Sequence, residues 1–480
     1  MQFRKLNLLL ACLVAMISWT ANTHAQPVTS MEGTWQGKLT IPGGMKLRIV
    51  FHISQNDEGN YSAKMDSPDQ GATGLPVGAV TFVENKLTIE VPAVRGNFEG
   101  TWTEESGKID GKWNQSGMAM PLILERVDKV EAPKRPQAPQ KPYPYIEEEV
   151  NYENEAAGIS LAGTLTMPKT GAPFPAVVLI TGSGPQDRNE SLLGHKPFLV
   201  LADHLTRNGI AVLRFDDRGV GQSTGDFATA TSEDFAGDVK AGIKYLLSRD
   251  EIDAKKIGLV GHSEGGLIAP MVATESPDVA FVVLMAGPGL SGEKILLLQS
   301  NLIAKANGAP EILIEQGLID AAAYYKILKA EPDNAAAEKK LRAYRQAAWD
   351  KSSEEMKAEA RKLGDPEKLF EAGLKQMLTP WFRYFISYDP APTLQKVKVP
   401  VLAINGEKDL QVPPKENLAA IAEALTDGGN ANFKTVEMPS LNHLFQKCET
   451  GAPGEYSQIE ETISPTALQA ISNWILSAAK

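Results

Sequence analysis

Two periodicities divide the chain. From residue 28 to 128, apolar positions recur at every second residue in short runs: Leu47, Ile49, Phe51 and Ile53 in one, Leu87, Ile89 and Val91 in another. That spacing marks strands buried on one face, and Asn56-Asp57-Glu58-Gly59-Asn60 between two runs reads as a hairpin turn. Gly33-Thr34-Trp35, Gly100-Thr101-Trp102 and Gly111-Lys112-Trp113 recur at strand starts. The repetition predicts a small antiparallel β-barrel or sandwich with tryptophans filling its interior. From residue 146 the pattern changes. Residues 176–180, 210–215, 257–260, 280–284 and 399–404 are apolar with little alternation, and between them lie stretches such as 235–247 where apolar positions recur at three and four. Strands buried on both faces and interleaved with helices predict an α/β region built on a mostly parallel sheet. Between 289 and 396 no run reads as a buried strand, and Ala-, Lys- and Glu-rich sequence such as 335–349 predicts a helical cap over about 290–396. Inserted at the carboxyl ends of the strands, where such sheets carry ligands, a cap would roof the site.

Residues 129–145 separate the two patterns. Pro133, Pro136, Pro139, Pro142 and Pro144 among few apolar residues predict an extended, semi-rigid spacer. The organisation expected is a β module over 26–128, this linker, and an α/β region over 146–480. Residues 1–25 stand apart: Arg4 and Lys5, an apolar run to Trp19, and Thr23-His24-Ala25 have the form of a signal peptide, so the expected location is periplasmic or secreted. The run falls short of the roughly 20 residues a spanning helix needs, and a lipoprotein signal through Leu10-Ala11-Cys12 would leave very little apolar sequence before Cys12.

Length and composition narrow the chemistry. A chain of 480 residues, 43% hydrophobic and 22% charged, is globular and too long for one core. Its net charge of −11 with no basic block argues against nucleic-acid binding. Two cysteines, Cys12 and Cys448, make neither a disulfide framework nor a four-thiolate zinc site. Cys448 follows Gln446-Lys447 with no strand-to-helix turn before it and reads as an incidental small residue. No metal or organic cofactor is implied.

One motif carries chemistry. Gly261-His262-Ser263-Glu264-Gly265 has the form G-x-S-x-G, with a strand leading in and an apolar helical run leading out. A nucleophilic serine must stand on a tight turn above the sheet, with glycines on either side to let backbone approach. A serine hydroxyl then needs a base. Of six histidines, His24 lies in the leader and His52 in the β module; His262 neighbours the nucleophile and should point elsewhere, and His195 and His204 flank a helix and read as helix-surface residues. His443 follows the last expected strand, 433–437, at the carboxyl edge of the sheet, and is the candidate base. Asp409 follows strand 399–404 at the same edge and would orient the imidazole; Glu407, inside the turn, and Asp389, before a proline, compete less well.

Ser263, Asp409 and His443 in that order resemble the α/β-hydrolase superfamily over nearly all of 146–480. Residues 180–189, Ile-Thr-Gly-Ser-Gly-Pro-Gln-Asp-Arg-Asn, are similar to the loop after the first long strand in bacterial serine esterases, and 215–223 resembles the D-x-R-G-x-G-x-S turn of the superfamily. The β module is similar to lipocalin-like modules attached to some secreted bacterial hydrolases. The resemblance implies an oxyanion hole from the backbone N–H groups of Ser183 and Glu264, although Thr181-Gly182 stands where the family often has His-Gly. Asp187 with Arg188, and Asp216, Asp217 and Arg218, read as structural. In the cap, Trp381, Phe382 and Tyr384 are candidates for an apolar substrate pocket.

The expected activity is hydrolysis of small-molecule carboxylic esters through an acyl-enzyme, with Ser263 attacking, His443 moving protons and Asp409 orienting it. The same residues would serve a peptidase, since the resemblance extends to serine aminopeptidases and prolyl oligopeptidase-like hydrolases, or a thioesterase. A ligand-binding protein with a vestigial hydrolase domain is the non-enzymatic alternative, against which the intact set of three residues argues. A homodimer is one expected assembly.

Overall fold

The computed structural model describes residues 30–480 except 42, 43, 116, 132 and 133, so the expected signal peptide over 1–25 lies outside the described residues. The first strands are β1 (Gly33–Thr40), β2 (Lys46–Gln55), β3 (Tyr61–Ser67), β4 (Ala72–Pro76), β5 (Val80–Val83), β6 (Lys86–Val91), β7 (Gly96–Thr103), β8 (Lys108–Gln115) and β9 (Met118–Arg126). They form one antiparallel sheet in the order β4-β3-β2-β1-β9-β8-β7-β6-β5, curled into a half-barrel. Period-two alternation puts Trp35, Trp102, Trp113, Phe51 and Phe98 on its inner face, where they pack as one cluster.

The α/β region follows: β10 (Ile146–Asn154), β11 (Ile159–Met167), β12 (Phe174–Ile180), α1 (Pro197–Arg207), β13 (Ala211–Phe215), α2 (Ser232–Leu247), β14 (Ile252–His262), α3 (Glu264–Glu275) and β15 (Val279–Met285). Next come the cap helices α4 (Gly292–Ala306), α5 (Glu311–Ala330), α6 (Asn334–Lys351), α7 (Glu354–Leu363), α8 (Pro366–Met377), α9 (Pro380–Ser387) and α10 (Ala391–Leu394), and then β16 (Val401–Gly406), α11 (Pro414–Asp427), β17 (Phe433–Met438) and α12 (Pro465–Ala478). The sheet order is β10-β11-β13-β12-β14-β15-β16-β17. Strands β12 to β17 pair parallel, whereas β10 pairs antiparallel with β11, and β11 with β13. The sheet is therefore mixed: its parallel strands carry an antiparallel entry at one edge that the sequence pattern did not predict. The antiparallel entry escaped notice because β10 alternates, burying Val150, Tyr152 and Asn154 between exposed residues, as an edge strand does. One face of the sheet packs on α2, α3 and α11, the other on α1 and α12. Successive strands leave β12 in opposite directions, β13 on one side and β14 on the other, which opens a crevice at their carboxyl ends. No helix among the described residues is long and apolar enough to cross a membrane.

The linker is not a free spacer. Arg135 donates to the carbonyls of Leu193 (2.7 Å) and Ile459 (3.2 Å), and Gln137 to that of Ile463 (2.6 Å). Composition misses this docking because polar side chains reaching backbone carbonyls perform it. The turn between β1 and β2 also packs on the α/β region: Ile41, Met45 and Leu47 meet Leu193, Leu444 and Tyr456 in one apolar cluster. There Ser457 Oγ donates to the carbonyl of Lys46 at 3.1 Å.

Candidate active site

β14 runs into α3 through a turn with no spare room. A Cβ on Gly261 would lie 2.0 Å from the carbonyl oxygen of Gly265, and one on Gly265 2.1 Å from that of Ile180. Between them Ser263 is held at φ +52°, ψ −117°, strained for an L-residue, with its N–H on the carbonyl of Met285 at 2.8 Å. The turn lifts the hydroxyl into a cavity of about 280 Å³ at the carboxyl ends of the strands, and the positive end of α3 faces the same space.

His443, on the loop after β17, lines that cavity with Ser263. Its Nδ1 lies 2.8 Å from Asp409 Oδ2, and both residues are buried. Asp409 Oδ1 accepts the backbone N–H groups of Gln411 and Val412, each at 2.8 Å, so the carboxylate has one fixed orientation. The structure thus brings Ser263, His443 and Asp409 to one rim. No hydrogen bond joins Ser263 to His443 among the described residues, although both line the one cavity.

The loop after β12 closes the other side. Gly182 passes so close that its Cβ would be 3.2 Å from Ser263 Cβ, and Ser183 lines the cavity. Thr181 Oγ1 donates to Asp217 Oδ1 (2.9 Å), Gln186 N–H to Asp217 Oδ2 (2.9 Å), and Arg188 pairs with Asp216 (2.8 Å). The turn after β13 therefore pins this loop, and the threonine that replaces the family's histidine is one of the pins. Burial pushes the Asp217 carboxyl up to about 8 despite those donors. Asp187 caps its own loop through the N–H groups of Asn189 and Ser191 (3.0 Å each), so Arg188 pairs with Asp216 rather than with its neighbour.

Glu264 supplies more than a backbone N–H. Its buried carboxylate accepts from Ser232 Oγ (2.5 Å) and from Trp381 Nε1 (2.7 Å), which joins the Ser263 turn, α2 and the cap. Burial raises its pKa against those donors.

These elements and this geometry agree with what the chain resembles in sequence. A model of the X-Pro dipeptidyl-peptidase (S15) family matches residues 157–436, more than half of the chain. The chain belongs to the S15 family. The match takes in Ser263 and Asp409 and ends just before His443. Esterase EstD of Thermotoga maritima is 25% identical over 371 residues, spanning 76% of this chain and 78% of that protein. Among solved structures, the Pyrococcus furiosus esterase Pf2001 is similar at a TM-score of 0.40 with 16% identity, covering 69% of this chain and 93% of that one. Est1E of Butyrivibrio proteoclasticus with ferulic acid bound gives a TM-score of 0.40 with 17% identity, covering 68% and 98%.

This S15-family hydrolase departs from the sequence-based site in the cap and among the histidines. Trp381 lines the cavity, but Phe382 and Tyr384 do not; Phe385 does. On α9, residues four apart share a face, so Trp381 stacks on Phe385 (5.2 Å), while Phe382 turns to Tyr325 in the cap interior and Tyr384 stacks on Tyr388. His195 is no surface residue: it is fully buried between Thr462 Oγ1 (2.9 Å) and the carbonyl of Tyr456 (3.1 Å), and burial pushes its pKa down to about 4. His204 is half-buried against Ser472 Oγ (3.0 Å). Cys448 is half-buried with its thiol pushed up to about 11, far from thiolate character. His262, expected to point away, also lines the cavity, bonded to Glu190, a residue that no spacing in the sequence singled out.

Proposed function

We propose that the protein is an exported esterase that cleaves small, uncharged carboxylic esters through a Ser263 acyl-enzyme. His443 Nε2 takes the proton of Ser263 Oγ as the hydroxyl attacks the ester carbonyl, and returns it to the departing alkoxide. Asp409 fixes the tautomer that leaves Nε2 free and offsets the charge of the imidazolium. The N–H groups of Ser183 and Glu264 receive the oxyanion, a term worth roughly 10²–10³ in turnover per donor. Water then repeats the sequence on the acyl-enzyme.

The observation that carries ester over dipeptide is the state of the cavity's carboxylates. A dipeptidyl-peptidase must hold the ammonium of a substrate amino terminus. Glu264 is already occupied by Ser232 and Trp381, and Glu190 by Gly182 and His262. Apart from its serines and histidines, the remaining polar lining is amide: Gln186, Gln299, Gln376 and Gln411, beside Leu296, Trp381 and Phe385. Such a cavity suits a short, neutral acyl or aryl group. The esterase name of the Thermotoga relative points the same way.

The test compares p-nitrophenyl butyrate with Ala-Pro-p-nitroanilide, for the parent and for Ser263→Ala. The expected result is a higher kcat/KM for the ester and none for the variant; preference for the anilide would move the reading to dipeptide release, and a turning-over variant would end it. Export rests on the leader sequence, and the expected mature amino terminus is Gln26, to be read by mass spectrometry of the secreted or periplasmic fraction.

A further inference from the structure

Beside the pair His443–Asp409 lies a second histidine–carboxylate pair that the hydrolytic steps do not use. Glu190, in the loop after β12, is buried and held at φ +51°. Its Oε1 accepts the backbone N–H of Gly182 at 2.7 Å and faces His262 Nδ1 at 2.9 Å. The other ring nitrogen, His262 Nε2, faces the carbonyl oxygen of His443 at 3.0 Å, and the two imidazole rings pack with centroids 4.9 Å apart.

We propose that Glu190 and His262 form a buried carboxylate–imidazolium pair that positions the base loop against the oxyanion loop, which makes both of them positioning residues for the hydrolysis. The proposal rests on Ser263 and His443 being nucleophile and base. Its chemistry is a matter of proton count. A carbonyl only accepts, and a carboxylate offers only acceptor oxygens, Oε1 of Glu190 taking the Gly182 N–H as well. A neutral imidazole has one N–H to offer, so two acceptors require two ring protons. The titratable groups facing the ring are Glu190, His443 and, behind it, Asp409. Burial opposes the charge on His262, yet the charge and hydrogen bond of Glu190 outweigh it and raise the pKa. The resulting chain runs from Gly182 through Glu190 and His262 to the main chain of His443. It ties the loops after β12, β14 and β17 together through the residue directly before the nucleophile. Little slack remains, since a Cβ on Gly182 would lie 3.3 Å from Glu190 Oε1.

Glu190→Gln keeps the shape and removes the charge. His262 then becomes neutral, has one proton for two acceptors, and releases one loop. With p-nitrophenyl butyrate, kcat should fall by about tenfold to a hundredfold, the cost typical of slight misplacement of catalytic groups, with KM changed by less than about threefold. Glu190→Asp, which keeps the charge, should recover part of the loss. In protein labelled with ¹⁵N-histidine at about pH 7, above the ordinary histidine pKa of about 6.5, one imidazole should carry protons on both nitrogens; that signal should persist in Ser263→Ala and vanish in Glu190→Gln. A parent with no doubly protonated histidine, or a Glu190→Gln variant with the parent's kcat, overturns the proposal. Fluorophosphonate labelling separates the two readings. If the parent's Ser263 takes no label, the nucleophile assignment falls and the positioning role with it. If Ser263 is labelled in Glu190→Gln at the parent's rate, only the positioning role falls.

Discussion

Replacing Asp409 by Asn should silence the enzyme without unfolding it, and the structure says why. Asp409 Oδ1 accepts two backbone N–H groups, from Gln411 and Val412 at 2.8 Å each, and Oδ2 faces His443 Nδ1 at 2.8 Å. An asparagine at this site has one acceptor and one donor. The two N–H groups demand the carbonyl oxygen, so the amide NH₂ must turn towards His443. Nδ1 then accepts, the ring proton moves to Nε2, and the nitrogen that should receive the Ser263 proton carries one already. The same exchange in a chymotrypsin-like protease lowers kcat about 10⁴-fold, equivalent to about 5.4 kcal/mol at 1.36 kcal/mol per tenfold. Size and backbone partners are preserved, so the thermal midpoint should stay within a few degrees of the parent. The assay is steady-state hydrolysis of p-nitrophenyl butyrate beside a melting curve. An Asp409→Asn variant that folds and keeps turnover within about tenfold of the parent would refute the orienting role of Asp409.

Other expectations follow from the same geometry. Trp381→Phe removes one donor from the buried Glu264 carboxylate and loosens α9; it should cost on the order of 1–3 kcal/mol and raise KM for short esters, as melting and kinetics would show. Gly265→Ala forces a methyl to 2.1 Å from the carbonyl of Ile180, so soluble folded protein should not be recovered; a normal melting curve would contradict the packing of the turn. Acid stability should carry the mark of His195. It accepts a proton near 6.5 when unfolded and only near 4 when folded, so the unfolded chain binds more protons in that window and stability falls as pH drops through it. The loss is at most about 3 kcal/mol, and urea midpoints between those pH values should vary less in His195→Asn than in the parent.

How far the sequence reveals the site depends on how local each signal is. The elbow is local: strand, glycines and helix adjoin, and only one G-x-S-x-G sits in that setting. His443 and Asp409 were legible through their place after a strand, because a parallel sheet gathers strand ends on one edge. The cap aromatics were not, since neighbouring residues on α9 face different ways and only tertiary packing chooses Trp381 and Phe385 over Phe382 and Tyr384. Glu190 and His262 escaped for a related reason: their partnership spans 72 positions and depends on a φ of +51° that no residue type announces. The β10–β11 hairpin hid behind its polar alternation, which resembles an exposed surface until the sheet it borders is known.

The turn between β1 and β2 has a consequence for how this polypeptide can be taken apart. Ile41, Met45 and Leu47 cover Leu444, the residue after His443, together with Leu193 and Tyr456. Tyr456 in turn meets Gln411 through its hydroxyl at 3.1 Å, close to the main chain that cradles Asp409. A fragment trimmed to residues 146–480 would therefore bare an oily facet at the back of its own catalytic rim, and the stickiness of that facet, more than any lost ligand, would announce that the amino-terminal half-barrel belongs to the enzyme's scaffold.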